Sequence, residues 1–132
     1  MGRLSRLTGR IQISPPLRWA DFKDSEFRES ARENRAVVFV EQTESQDTVD
    51  GVIERRAAVA LVPCTGDSAK FYDLEDDLTL FVHEHGDART LTGYLVREGD
   101  EQGDVERYSI VDGLVVREKA ELRWPDGTAV TS

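Results

Sequence analysis

The sequence predicts an α+β protein: a mostly antiparallel sheet with two helices on one face. Three observations carry this. Apolar residues alternate with polar ones in several short segments, the period of a half-buried strand. One segment, Asp73 to His85, instead spaces its apolar residues as a helix does. Turn signals, above all Asp112-Gly113, separate neighbouring strand segments as hairpins require. The order reads β-α-β-β-α-β-β-β in a single domain over residues 1–132. Segregated helices and strands define the α+β class. The first six elements match a ferredoxin-like core, and the last hairpin would extend its sheet. The same order also allows the C-terminal meander to curl into a separate small sheet.

Leu4 to Ser14 alternates loosely, with Leu7, Gly9, Ile11 and Ile13 on one side and Thr8, Arg10 and Gln12 on the other. Pro15 and Pro16 are expected to stop this strand, because proline supplies no ladder donor. Leu17 to Lys23 reads as a short helix with Pro16 in its first turn. Trp19 and Phe22, three apart, share one face and would pack on the sheet as a lid. Asp24 to Asn34 is dense in charge, a loop or a ragged helical turn anchored by Phe27. Arg35 to Val62 holds two apolar, β-branched runs around Gln46-Asp47-Thr48-Val49-Asp50-Gly51. Their cores are apolar on nearly every residue, so both strands are expected to be central with both faces covered.

Cys64 to Ser68 is a loop. The helix that follows places Leu74, Leu78, Phe81, Val82 and His85 on one stripe. Acids fill its first turn, histidines lie near its end, and Gly86 is placed to cap it. In Leu91 to Arg97, Leu91, Gly93 and Leu95 oppose Thr92, Tyr94 and Val96. Glu98 to Asp104 is a polar turn, and Val105 to Val111 is a strand. Asp112-Gly113 then returns the chain into Leu114 to Trp124. There Leu114, Val116, Ala120, Leu122 and Trp124 share a face, which Glu118 interrupts. Pro125-Asp126-Gly127 ends the strand.

Charged residues make up 33% of the chain and the formal net charge is −9. The charge is uneven: Met1 to Arg35 has 8 basic and 5 acidic residues, and the remainder has 9 and 21. Such a field repels phosphates, so it argues against direct nucleic-acid or membrane binding and suits a basic protein partner. It also serves solubility. No apolar run reaches bilayer length, and the N-terminal arginines are not followed by the apolar stretch of a secretory signal. The expected location is cytoplasmic. With Cys64 alone there is no internal disulfide.

The stretch Leu7-Thr8-Gly9-Arg10-Ile11-Gln12-Ile13-Ser14-Pro15-Pro16-Leu17-Arg18-Trp19 resembles the opening of a family of short, uncharacterised proteins from actinobacteria and their phages. Thr92-Gly93-Tyr94-Leu95, Gly103-Asp104, Asp112-Gly113 and Trp124-Pro125-Asp126-Gly127 are similar to its later landmarks. The resemblance spans nearly the whole chain and implies source and domain extent, with no activity to transfer.

Few residues invite chemistry. His83-Glu84-His85 is a metal suspect, yet a spacing of two sets the rings about 200° apart on a helix. Asp73, Glu75, Asp76 and Asp77 read as helix-start electrostatics, and Asp47 to Gly51 lacks the calcium-loop spacing. Cys64 would need a neighbouring base to act as a nucleophile. No phosphate-loop, dinucleotide or nucleophile-elbow pattern is present. Arg55-Arg56 sits within an apolar strand. One arginine must point toward the helices, either snorkelling along its stem or pairing with Glu41 or Glu118.

The sequence therefore predicts a small acidic, non-enzymatic protein without a cofactor, working through an unidentified protein partner. Glu98, Asp100, Glu101, Asp104, Arg55 and Arg56 are the expected contact surface. Alternatives are a phage-type acidic inhibitor that mimics nucleic acid, a self-assembling structural component, and a small enzyme with His83, His85, Cys64 or Tyr94 in a pocket.

Overall fold

The structure, a computed structural model, describes residues 6–28, 36–64, 74–99, 101 and 103–130. Strand β1 (Arg6–Arg18) leads into a single helical turn, α1 (Trp19–Phe22). Strands β2 (Val37–Thr48) and β3 (Gly51–Pro63) form a long hairpin, followed by helix α2 (Leu74–His85). Strands β4 (Thr90–Glu98), β5 (Val105–Val111) and β6 (Leu114–Lys119) complete one sheet, in the order β2-β3-β1-β4-β5-β6. Every neighbouring pair is antiparallel. The protein is thus α+β and mostly antiparallel sheet, as its strand periods predict.

One face of the sheet carries the core. Ile11 and Ile13 of β1, Val37 and Phe39 of β2, Leu61 of β3, Leu95 of β4, and Tyr108 and Ile110 of β5 are buried together. Leu74, Leu78 and Phe81 of α2 close over them, as the helical stripe predicts. Phe22 and Phe27 fill the space beside α2, both fully buried. The rings of Phe22, Phe27, Phe39 and Phe81 meet mostly edge to face with centroids 5.7–6.1 Å apart. Such contacts add to the burial energy, and emptying one of these positions to alanine costs about 3–5 kcal/mol. Asp77 is buried at the start of α2, where its Oδ2 accepts the backbone N–H of Ala36 at 2.7 Å. A residue expected to act only on the helix dipole therefore pins α2 to the entry of β2.

Close backbone approach explains two glycines. Gly9 and Gly93 lie on adjacent paired strands, each with a positive φ, 112° and 106°. A Cβ at Gly93 would overlap the carbonyl oxygen of Arg10, and one at Gly9 that of Tyr94. At the β5–β6 turn, Asp112 and Gly113 take φ of 51° and 78°, the tight hairpin turn expected there.

Several expectations are corrected. β1 does not stop at Ser14 but runs through Pro15 and Pro16 to Arg18. Its register with β3 shifts between Gln12 and Leu17, so the prolines sit where ladder donors are not required. The helix expected over Leu17 to Lys23 shrinks to four residues. β2 is an edge strand rather than a central one. The turn expected over Gln46 to Gly51 is tighter than that, because β2 runs on to Thr48 and β3 starts at Gly51. In β6 the faces are reversed: Val115 packs against the core, while Leu114 is 69% exposed. Beyond Lys119 the expected strand gives way to an isolated bridge between Arg123 and Ala129. The segment expected at Lys70 to Asp73 and residues 29–34 of the charged stretch Asp24 to Asn34 lie outside the described residues, as does the greater part of the Cys64–Ser68 loop.

Candidate functional site

The β2–β3 hairpin is longer than the sheet that holds it. β1 pairs with β3 only as far as Arg18 opposite Ala57. Beyond that point Thr43–Thr48 and Gly51–Arg56 pair with each other alone, in unbroken register from Thr43↔Arg56 to Thr48↔Gly51. Six residues per strand make an arm roughly 20 Å long. Its β-branched residues suit a strand, and Thr48 Oγ1 donates to the carbonyl of Gly51 at 2.7 Å to close the turn. All of its residues are exposed. Among them Val49 is fully exposed and Val52 and Ile53 are 63% and 44% exposed. Val52 and Ile53 are adjacent in β3 and so point to opposite faces of the ribbon, which puts an exposed apolar side chain on each face of the tip.

At the base of the arm lies an open cavity of about 640 Å³, lined by Arg18, Trp19, Ala20, Glu54, Arg55 and Arg56. Local sequence builds it. The β1 strand ends at Arg18, the α1 turn swings Trp19 out beside β3, and Phe22 anchors that turn in the core. Trp19 rests edge to face on Phe22 with centroids 5.4 Å apart, yet stays 37% exposed. Two guanidinium groups approach its ring, Arg28 at 4.6 Å and Arg56 at 5.0 Å from the centroid. Arg28 is held in place by Glu41, with Nε–Oε2 at 3.3 Å. The arginines near this cavity thus make a basic, aromatic patch on a chain whose net charge is −9.

This settles the position of Arg55-Arg56. Arg56 lies over Trp19, whereas Glu41 is taken by Arg28 and Glu118 by Arg107 at 2.8 Å. Pairing with either glutamate, the alternative to a snorkelling stem, is therefore replaced by a cation–π contact that no sequence period could reveal. Of the expected acidic loop, Glu98 and Glu101 are exposed. Asp104 turns inward and accepts from Arg97 at 2.9 Å, and Asp100 lies outside the described residues. Arg55 and Arg56 belong to a different region from that loop, so the expected contact surface is two surfaces.

The suspected pocket residues do not converge. His83 is exposed, while His85 is packed against Phe39 and Phe81 with centroids 5.6 and 5.7 Å away. Burial pushes the His85 pKa below its ordinary value, against the opposite pull of Glu84 and Asp21. Its Nε2 lies 3.1 Å from Ser25 Oγ, which already accepts the N–H of Phe27. A Ser25 proton directed at Nε2 fits the neutral imidazole that burial favours. Cys64 is half-buried at the end of β3, where its backbone N–H donates to Ala36. Tyr94 lies exposed on the sheet face away from the helices, with Arg107 at 5.3 Å over its ring. Among the described residues no group of three or more His, Cys, Asp or Glu side chains could hold a metal ion.

One polar cluster was not foreseen. Glu106, on the core face of β5, is 7% exposed. It accepts from Arg97 Nη2 at 2.6 Å, from Tyr108 O–H at 3.1 Å, and from Arg117 Nε. Burial raises its pKa, but the arginines and Tyr108 outweigh that and hold it below the usual value. Arg97 is pushed well above the ordinary arginine range, first by its hydrogen bond to Asp104. A carboxylate with its acceptors filled by arginine and tyrosine donors is a structural rivet, not a proton donor. A smaller cavity of about 220 Å³ lies between the α2 C-terminus and the β5–β6 turn. There Arg89 Nε is buried without a partner, and its Nη2 sits 3.8 Å from Asp21. No helix among the described residues is long and apolar enough to cross a membrane.

The fold and site together define a small α+β protein whose open features are a projecting hairpin arm and the basic cavity at its root. The chain belongs to a family of unknown function (DUF6205), whose model matches residues 1–132. No curated protein and no solved structure matches it.

Proposed function

We propose that this protein acts by protein–protein contact, without catalysis, and that the β2–β3 arm is the contacting element. The observation that carries this is the exposed apolar tip formed by Val49, Val52 and Ile53. Exposed apolar side chains at the end of a strand pair, away from any core, gain free energy only when something covers them. The unpaired strand edges beside them offer backbone donors and acceptors to the same partner. In this reading the location is cytoplasmic, and the source is actinobacterial or phage, as the family resemblance implies. The strand order β2-β3-β1-β4, with α1 and α2 between, supports a ferredoxin-like core for the first six elements.

The nucleic-acid mimic is the weaker reading. It needs unpaired carboxylates spaced like phosphates. Here Glu41, Asp104, Glu106, Glu118 and Glu121 each lie beside an arginine. The test is affinity capture from the source cell with the wild-type chain, Ile53→Asp, and Leu122→Asp as a control for an exposed apolar residue elsewhere. The reading expects a protein retained by wild type and Leu122→Asp and lost by Ile53→Asp. Identical capture by all three would reject it.

A further inference from the structure

We infer that the partner of the arm is a second copy of this chain, the two arms lying antiparallel across a twofold axis. The tip of each arm then fills the Trp19 cavity of the other. This rests on the reading of the arm as the contacting element and names what it contacts.

Three features of the arm fit this occupant. The first is an open ladder. Among the described residues no strand neighbours the outer edge of β3 from Gly51 to Arg56, because β1 begins its pairing only at Ala57. Such an edge is a template for another strand. The second is length. An antiparallel copy centred on Ile53 sets Glu54 opposite the partner's Val52, Arg55 opposite the partner's Gly51, and Arg56 opposite the partner's Asp50. The open edge is used up where the basic cavity begins, so the tip of one arm arrives beside Trp19 of the other.

The third is charge. The distal arm carries Asp47 and Asp50, and its root carries Glu54, Arg55 and Arg56 beside Arg18 of β1, so arginines outnumber acids three to one around the cavity. One element thus holds both halves of a complementary pair, as an isologous contact requires. Elsewhere two chains of net charge −9 repel each other. The antiparallel arrangement is one that brings acid to base twice while covering Val49, Val52, Ile53 and Trp19.

The experiment is sedimentation velocity of the full chain from low to high micromolar concentration. Wild type should pass from the 14.9 kDa monomer to twice that mass. Asp50→Arg and Arg56→Glu each place like charges opposite one another at two symmetric positions, and each should raise the dissociation constant roughly tenfold. The double variant Asp50→Arg/Arg56→Glu exchanges the charges and should restore dimerisation. All substituted positions are exposed, and unchanged far-UV circular dichroism will confirm folding. A wild type that stays monomeric at high micromolar concentration would overturn the inference, as would singles that dimerise normally or a double that does not recover. If the chain is monomeric but Ile53→Asp still abolishes capture of another protein, the second-copy inference fails alone. Capture indifferent to Ile53→Asp removes the arm reading itself.

Discussion

Replacing Glu106 by glutamine isolates what the buried carboxylate does. The side chain keeps its shape and one acceptor oxygen but loses its charge. Three donors converge on it, from Arg97, Arg117 and Tyr108. Hydrogen bonds to charged groups contribute roughly 1.5–3 kcal/mol each. Two discounts apply. The Arg117 side chain is 54% exposed, so its share is that of a surface pair, about 0.5 kcal/mol. Arg97 keeps Asp104 at 2.9 Å, so it is not left as an isolated buried cation. The net loss is then about 2 kcal/mol at neutral pH. For a domain of this size that lowers the melting temperature by about 6–10 °C. The pH dependence supplies the sign. Glu106 has a folded pKa below its ordinary 4.5, so its stabilisation is complete above that value and is lost as pH falls through the folded pKa. The gap between wild type and Glu106→Gln should be constant near neutrality and close as the pH falls below 4.5 and through the folded pKa. Urea denaturation at several pH values measures it. A gap under about 0.5 kcal/mol at neutral pH, or one that widens in acid, would refute the cluster as a stabilising device.

Two further outcomes follow from the core. Gly93→Ala puts a Cβ into the carbonyl of Arg10 at a positive φ, and should destabilise by about 2 kcal/mol or more in the same denaturation assay. His85, with its pKa lowered by burial from 6.5, should titrate below that value in an NMR pH series. Because its unfolded form binds the proton first, stability should begin to fall as pH drops below 6.5, and His85→Gln should lose that part of the slope.

The sequence and the structure agree where one local rule dominates. The α2 stripe is legible because Leu74, Leu78 and Phe81 have no competing use. The Asp112-Gly113 turn is legible because positive φ at both residues admits few sequences. The reach of the arm is hidden for the opposite reason. A strand pair wet on both faces has no apolar period, so the hairpin around Gln46 to Gly51 is legible but its projection past β1 is not. The faces of β6 were inverted because Leu114 and Val116 outweigh Val115 by count, while the sheet needs Arg117 turned inward to meet Glu106. Register across strands, not composition along one, decides that. The Trp19 cavity depends on Arg28 and Arg56 converging from distant segments, which no spacing within the sequence encodes.

The most direct measurement removes the arm. Gln42 and Ala57 face each other across the hairpin, so an Asn-Gly turn can replace Thr43–Arg56 without disturbing the paired strands below. The shortened chain should fold with its core stability changed by less than about 1 kcal/mol, since none of the deleted residues is buried. Light scattering should then find it monomeric at concentrations where the full chain is dimeric. A shortened chain that fails to fold, or one that folds and still associates, would contradict the assignment of contact to the arm.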